Sequence, residues 1–288
     1  MRLYTIRYRE NECVAVKTKV GKLCTLQSLG FDIKDMNTLI KCFGEIKNDI
    51  ESRLSEQVAE YVDEQEMKIM APIPVPMQDI ICLGVNYKEH IEETKEAIDF
   101  SKKTDAVYFS KRVNRSNDPD EIIPVYDFVD SLDYEVELGV IIGKDAFQIS
   151  PGEANDYIFG YTIINDVSAR NIQMKHQQWY RGKSLDGYTP MGPCIVTSEE
   201  IKNVHNLQIQ CFVNGEKRQD SNTSCMITTI EDAIAELSQG MTLKAGTIIA
   251  TGTPGGVAMG MKPPVFLKEG DVVKCVIEDI GELINTVG

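Results

Sequence analysis

Basic residues are scarce in this sequence: 30 Lys and Arg stand against 44 Asp and Glu, a net charge of −14. The deficit removes the counterion-releasing surface on which nucleic-acid and anionic-membrane binding depend, so neither is an expected partner. Long apolar runs are missing as well. No stretch approaches the ~18 consecutive apolar residues of a membrane span, and the opening MRLYTIRYRENECVAVKTK holds no secretory h-region. Only three histidines occur, His90, His176 and His205, and there is no HExxH, which leaves little material for a zinc site. The eight cysteines include no CxxC pair, the nearest two being Cys13 and Cys24, so zinc-ribbon and thioredoxin-type sites are excluded. Scattered cysteines behind no leader read as reduced, buried side chains, and a cytoplasmic location is the expectation.

What is present, 42% hydrophobic and 26% charged residues over 288 positions, is the composition of a soluble globular chain of one or two domains. Residues 2–28 alternate apolar and polar around Glu-Asn-Glu and Val-Gly-Lys turns, the pattern of a small antiparallel sheet. Between Asp35 and Met70 the period lengthens: Ile46, Ile50, Leu54, Val58 and Tyr61 recur at helical spacing with charges between them. The segment APIPVPM, 71–77, then excludes helix with three prolines. It divides a small N-terminal accessory domain, 1–72, from a main domain, 73–288.

The second part opens with a buried-strand run after Asp79 and a polar helical stretch, KEHIEETKEAI. Later strands follow at LDYEVELGVIIG, YIFGYTIIN and LQIQCFVNGEKRQD, where Asn214-Gly215 is a strong hairpin signal. A helix over about Ile230–Gln239 is expected to start after Thr228 with Glu231 completing a capping box. The last strands lie in GTIIATGT and VVKCVIEDIGELINTV. Strands outnumber helices without regular alternation, which points to a mostly β, α+β fold and away from a doubly wound sheet.

Several short motifs fail. GKS at 182–184 is no P-loop, because the glycine required at 177 is Gln177. TGTPGGVAMG, 251–260, is glycine-rich but lacks GxGxxG order, and it reads as a loop without an assigned purpose. There is no GxSxG nucleophile elbow. The informative run is Asp133-Tyr-Glu135-Val-Glu137-Leu-Gly139: in a strand, Glu135 and Glu137 share one face. Two carboxylates held that close repel unless a cation lies between them, although the same ExE also suits a solvent-facing acidic edge. Asp166 closes the next apolar strand. It is either a helix N-cap or the third oxygen ligand of a hard cation such as Mg²⁺ or Mn²⁺.

The ordered set GVNYKEHIEE (84–93), DYEVELGVIIGK (133–144), FGYTIINDVSARNIQ (159–173), RGKSLDGYTPMGP (181–193), TGTPGGV (251–257) and GDVV…IGELINTV (270–287) closely resembles the fumarylacetoacetate hydrolase family. The resemblance covers residue 73 onward; the first 70 residues look, more loosely, like the small N-terminal domain of many bacterial members. It implies a mostly β fold of mixed curled sheets with a few peripheral helices, a homodimer, and one Mg²⁺ or Mn²⁺ per active site. Carried over by position, it makes Glu135, Glu137 and Asp166 metal ligands. It makes Lys183, otherwise a surface lysine beside a glycine, the cation that meets the substrate. Arg170, Gln173 and Thr253 become substrate contacts, where their residue types alone suit a helix surface and a turn equally. His90 and Glu93, three apart on one helix face, match the family's general-base dyad. Ala258 departs from the glycine that many members carry after GV, which leaves the shape of that loop open.

The implied reaction is hydrolysis of a C–C bond in a β-diketo acid of the acylpyruvate type. A 2-oxo acid chelates the cation through its carboxylate and keto oxygen. His90, oriented by Glu93, activates water to attack the distal carbonyl, and an enolate remains, held by the metal and Lys183. Oxaloacetate decarboxylation uses the same groups. Isomerisation or hydration of aromatic-degradation intermediates, and a silent dicarboxylate-binding module, complete the alternatives. In every case the partner is a small anionic 2-oxo acid.

Overall fold

The computed structural model describes residues 1–56, 60–95, 105–176 and 178–288, so Val58, Gln177 and the end of the KEHIEETKEAI stretch lie outside the described residues. The chain opens as the expected meander of β1 (Arg2–Tyr8), β2 (Asn11–Lys17) and β3 (Leu23–Thr25). Helix α1 (Met36–Ser55) follows, capped by Asp35, whose carboxylate accepts the Thr38 N–H at 2.7 Å. The helical period suggested a longer element. Instead Tyr61 bridges to Cys24, and β4 (Met67–Ile69) pairs with β1, because edge pairing there satisfies backbone groups that a continued helix would satisfy locally.

After the proline segment come β5 (Ile80–Gly84), the short α2 (Lys88–Thr94), β6 (Val107–Lys111), β7 (Ile122–Ile123) and β8 (Leu132–Asp133). The centre of the chain supplies β9 (Val136–Ile142), β10 (Ile158–Asn165), β11 (Ser168–Ala169), α3 (Arg170–Lys175), α4 (Tyr180–Lys183) and β12 (Met191–Thr197). The remainder is β13 (Gln208–Val213), β14 (Glu216–Asn222), α5 (Ile230–Ser238), β15 (Ile248–Ala250), β16 (Val272–Ile277) and β17 (Gly281–Val287). Asn214 and Gly215 turn the β13–β14 hairpin with φ of 52° and 80°, as their sequence indicates. Helix α5 begins at Ile230 as expected, but its cap is Thr229 and not Thr228: the Thr229 hydroxyl accepts the Asp232 N–H and donates to the Asp232 carboxylate, and Glu231 takes no part in the cap.

Ten strands form one large sheet in the order β3-β2-β1-β12-β10-β9-β15-β5-β6, with β4 beside β1, and five form a second in the order β14-β13-β16-β17-β7. The large sheet runs straight across the proline segment, since β1 pairs with β12. This mixed, mostly β architecture with peripheral helices is the α+β class read from the sequence. Alternate residues of β9 enter two cores. Val136, Leu138, Val140 and Ile142 pack with Ile209, Cys211 and Cys275 of the smaller sheet, while Ile141 packs with Leu39, Ile40 and Ile50 of α1. Both faces are therefore covered, and every residue of β9 is buried.

Candidate active site

Glu135 lies just ahead of β9 and Glu137 is the second residue of that strand. Pairing with β10 continues one step past its end: the Asp166 N–H donates to the Glu135 carbonyl at 2.9 Å, which draws the third carboxylate alongside. One oxygen from each of Glu135, Glu137 and Asp166 lies within 4.8 Å of the others. All three are buried, so the solvent-facing acidic edge does not form. Nor is Asp166 a helix cap. Helix α3 starts after Ala169 without a side-chain cap, and the Asp166 carboxylate instead accepts from Lys111 Nζ at 2.5 Å and Lys183 Nζ at 2.7 Å.

Lys183, which by residue type alone suggests a surface position, is 2% exposed. Its ammonium also donates to Glu135 Oε2 at 2.6 Å and so bridges two of the three carboxylates. Gly182 makes the approach possible, because a Cβ there would stand 2.6 Å from the Gln173 backbone nitrogen; only glycine lets α4 lie against α3. Arg170, the first residue of α3, reaches back with Nε to Asp133 at 2.9 Å and Nη2 to Glu135 at 2.6 Å, while Nη1 meets Gln173 Oε1 at 2.9 Å. Arg170 and Gln173 are both buried, not on the helix surface.

Asp133, Glu135, Glu137 and Asp166 against Lys111, Arg170 and Lys183 leave one negative charge in excess. The excess falls on Glu137. Its Oε2 accepts the Gly252 N–H at 2.9 Å, and no ion pair reaches it among the described residues. Burial, with the Asp166 and Glu135 charges beside it, pushes the Glu137 carboxyl well above the usual carboxylate range. Glu135 moves the other way: burial opposes its charge, but Lys183 and Arg170 outweigh that and hold it below the usual range. Burial likewise opposes the Lys183 charge, and Asp166 and Glu135 overcome it and raise the ammonium's pKa. Three converging carboxylate oxygens, one of them left without a cation, fit a hard divalent ion.

His90 and Glu93 meet as expected on α2, with Nδ1 to Oε1 at 2.8 Å. The glycine-rich loop without an assigned purpose proves to be what joins the parts. Gly252 N–H meets Glu137, and Thr253 Oγ1 donates to the Val136 carbonyl at 2.9 Å while accepting from Gln219 at 2.8 Å. Gly256 N–H donates to Glu93 Oε2 at 2.7 Å, and the Ala258 and Met259 N–H groups donate to Asp133 at 2.7 and 3.1 Å. Ala258 fits without a positive φ, at the start of a 3₁₀ turn, so alanine leaves the loop intact.

A small cavity opens on this cluster, with His90, Glu135, Glu137, Arg170, Gln173, Lys183 and Thr253 among its lining residues. Leu83, Val85, Phe109, Trp179 and Met259 form its apolar side. Asp166 and Glu93 stand behind that surface. Sequence reasoning did not single out Lys111 or Asp133 as site residues, nor the Phe109–Trp179 edge-to-face pair at 5.2 Å. Asp133 heads the acidic run itself. Lys111 carried one signal, a lysine two residues after Phe109 in the alternating VYFSK, which puts both on one strand face.

The family model for the fumarylacetoacetate hydrolase C-terminal domain matches residues 79–288. An oxaloacetate tautomerase, YisK of Bacillus subtilis, is 45% identical over 224 residues, 77% of this chain and 74% of that protein. The solved fumarylacetoacetate hydrolase of Exiguobacterium antarcticum is 35% identical with a TM-score of 0.84, over 100% of this chain and 99% of its own. A maleylpyruvate hydrolase from Sphingobium sp. SYK-6, solved with manganese(II) and pyruvate, is 26% identical with a TM-score of 0.79, over 100% and 98% of the two chains. The fold and the acidic cluster are those of an enzyme family whose members act on small organic acids. This chain belongs to the fumarylacetoacetate hydrolase family and is an enzyme of that family. No helix among the described residues is long and apolar enough to cross a membrane.

Proposed function

We propose that this protein is a Mg²⁺- or Mn²⁺-dependent enzyme that enolises small 2-oxo acids, with keto–enol interconversion of oxaloacetate as its reaction. The observation that carries the reading is that a histidine base and a buried acidic cluster line one small cavity. Glu135, Glu137 and Asp166 would hold the ion. When bound, the ion supplies Lewis-acid polarisation of the 2-keto group. Arg170, Gln173 and Thr253 orient the substrate carboxylate. Glu93 takes the Nδ1 proton of His90 as a hydrogen bond, which leaves Nε2 as the acceptor for the proton on carbon 3. The Lys183 ammonium receives the developing charge on the keto oxygen and can return a proton to it.

With one divalent ion added, the seven charged groups of the cluster sum to +1, which favours an anionic substrate despite the protein's net charge. Residues 1–72 are read as an accessory unit that extends the sheet, since no residue before Leu83 lines the cavity. Similarity to an oxaloacetate tautomerase supports this reaction over others of the family. Acylpyruvate hydrolysis is the second reading, favoured by the His90–Glu93 pair, which can equally activate water, and by similarity to two solved hydrolases.

The test is chelator-stripped protein with and without Mg²⁺ or Mn²⁺, followed by ultraviolet absorbance of the oxaloacetate enol, pyruvate release from oxaloacetate, and loss of an acylpyruvate enol. Ion-dependent relaxation of the oxaloacetate enol without pyruvate release is expected. Pyruvate release would make it a decarboxylase, and acylpyruvate loss alone a hydrolase.

A further inference from the structure

Val85 lies in the cavity wall with φ of 51°, a left-handed conformation that β-branched residues strongly disfavour. Its neighbours impose it. Asn86 is tied down by four hydrogen bonds: Nδ2 to the carbonyls of Thr228 at 3.1 Å and Thr251 at 2.9 Å, Oδ1 from the Thr228 N–H at 2.7 Å, and its carbonyl from the Ile227 N–H at 2.8 Å. On the other side β5 is locked between β15 and β6. Glycine or asparagine would take this backbone with less strain, so the valine side chain is retained against a conformational cost, which points to a role for the side chain itself.

A second cavity adjoins the first, and the two share Leu83, Gly84 and Val85 in their walls. Gly84 has no side chain and Leu83 is packed into the core. Of these three shared residues, Val85 is the one that offers a side chain not committed to the core. The adjoining recess has mixed walls, with Ile91, Val107 and Ile227 on its apolar side and Asn86, Asp105 and Thr228 on its polar side. It is where the tail of a longer acyl group would go if the Val85 side chain were absent. The carboxylates and Lys183 are almost fully buried, so a 2-oxo acid anchored there has its far end among the walls that Val85, Phe109, Trp179 and Met259 form.

We propose that Val85 is a specificity-determining residue that closes the adjoining recess, along its Ile91, Val107 and Ile227 side, to the substrate and confines the group beyond the 2-oxo acid to a short substituent. The inference rests on the 2-oxo acid reading of the site. Binding of two unreactive 2-oxo acid mimics, oxamate and N-butyloxamate, tests it independently of turnover. Dissociation constants would be measured with Mg²⁺ present by calorimetry and by the fluorescence of Trp179, the sole tryptophan and a lining residue.

The native protein should prefer oxamate by at least about tenfold, the discrimination a shaped apolar wall gives per misfit methylene. Val85→Gly and Val85→Ala should each reduce that preference about tenfold or more. The two variants should differ in melting temperature: Val85→Gly at or above the native protein because strain is relieved, Val85→Ala below it because alanine remains strained. An equal preference in the native protein, or one unchanged in both variants, overturns the inference and leaves the 2-oxo acid reading standing. Failure of oxamate to bind the native protein overturns both.

Discussion

Glu137→Gln separates the cost of the acidic cluster from its use. In the metal-free protein the Glu137 carboxyl is buried beside Asp166 and Glu135, and its pKa is raised well above the ordinary 4.5. The folded state then binds a proton that the unfolded state has released, so stability falls as pH rises from about 4.5 toward the raised value. The amide cannot ionise and should remove that slope. A divalent ion should remove it in the native protein by displacing the proton, so ion binding tightens with pH and releases up to about one proton. At an ion concentration about 100 times Kd, linkage gives roughly 2.7 kcal/mol. For a chain of this length that is a rise of about 4–5 °C in melting temperature. Differential scanning fluorimetry of stripped protein from pH 5 to 8, with and without Mg²⁺ or Mn²⁺, reads both effects, and calorimetry in buffers of different ionisation enthalpy counts the proton. A Glu137→Gln protein that keeps the ion-induced rise, or a native protein that shows none, would refute the reasoning.

Lys183→Met should lower kcat by about 10²-fold or more while the ion binds at least as tightly, since the ammonium bridging Glu135 and Asp166 no longer competes with it; ion titration by calorimetry checks the second half. His90→Ala should lower kcat by roughly 10²–10⁴-fold with ion affinity retained, read by steady-state kinetics beside an ion-induced melting shift. Asp133→Asn removes the carboxylate that gathers Arg170 and the 258–259 backbone. It should destabilise the fold by about 3–5 kcal/mol, as loss of one partner of a buried ion pair does, measured by denaturant unfolding. Glu135, with its pKa lowered, contributes stability that is full above about pH 4.5 and lost as pH falls through its depressed folded value. Acid titration of Glu135→Gln should therefore lack that part of the native protein's loss.

The fold class and the site core were legible for physical reasons that differ by residue. Asn214-Gly215 signals a hairpin because few other pairs take two positive φ values, and strand alternation puts Glu135 and Glu137 on one face without revealing that this face is buried. Spacing alone left Asp166 between cap and ligand; what decides its place is one hydrogen bond from its N–H across to the Glu135 carbonyl, which no local pattern encodes. The helix read toward Tyr61 ended early because β4 found an edge on β1, a tertiary pairing invisible to periodicity. Lys111 and Asp133 escaped notice because a charged residue at a strand end is ordinarily solvated, and only the folded sheet shows them paired in the interior. The TGTPGGV loop carried a family signature, but its work is done by backbone N–H groups, which sequence does not display.

Ion-loaded protein should take a proton from carbon 3 of a 2-oxo acid through His90. Incorporation of solvent deuterium at that carbon of oxaloacetate, followed by proton NMR above the uncatalysed rate, measures the step itself. Exchange should appear only when Mg²⁺ or Mn²⁺ is restored to stripped native protein, and should be lost in His90→Ala that still binds the ion. Exchange equal with and without ion, or undiminished in His90→Ala, would contradict the account.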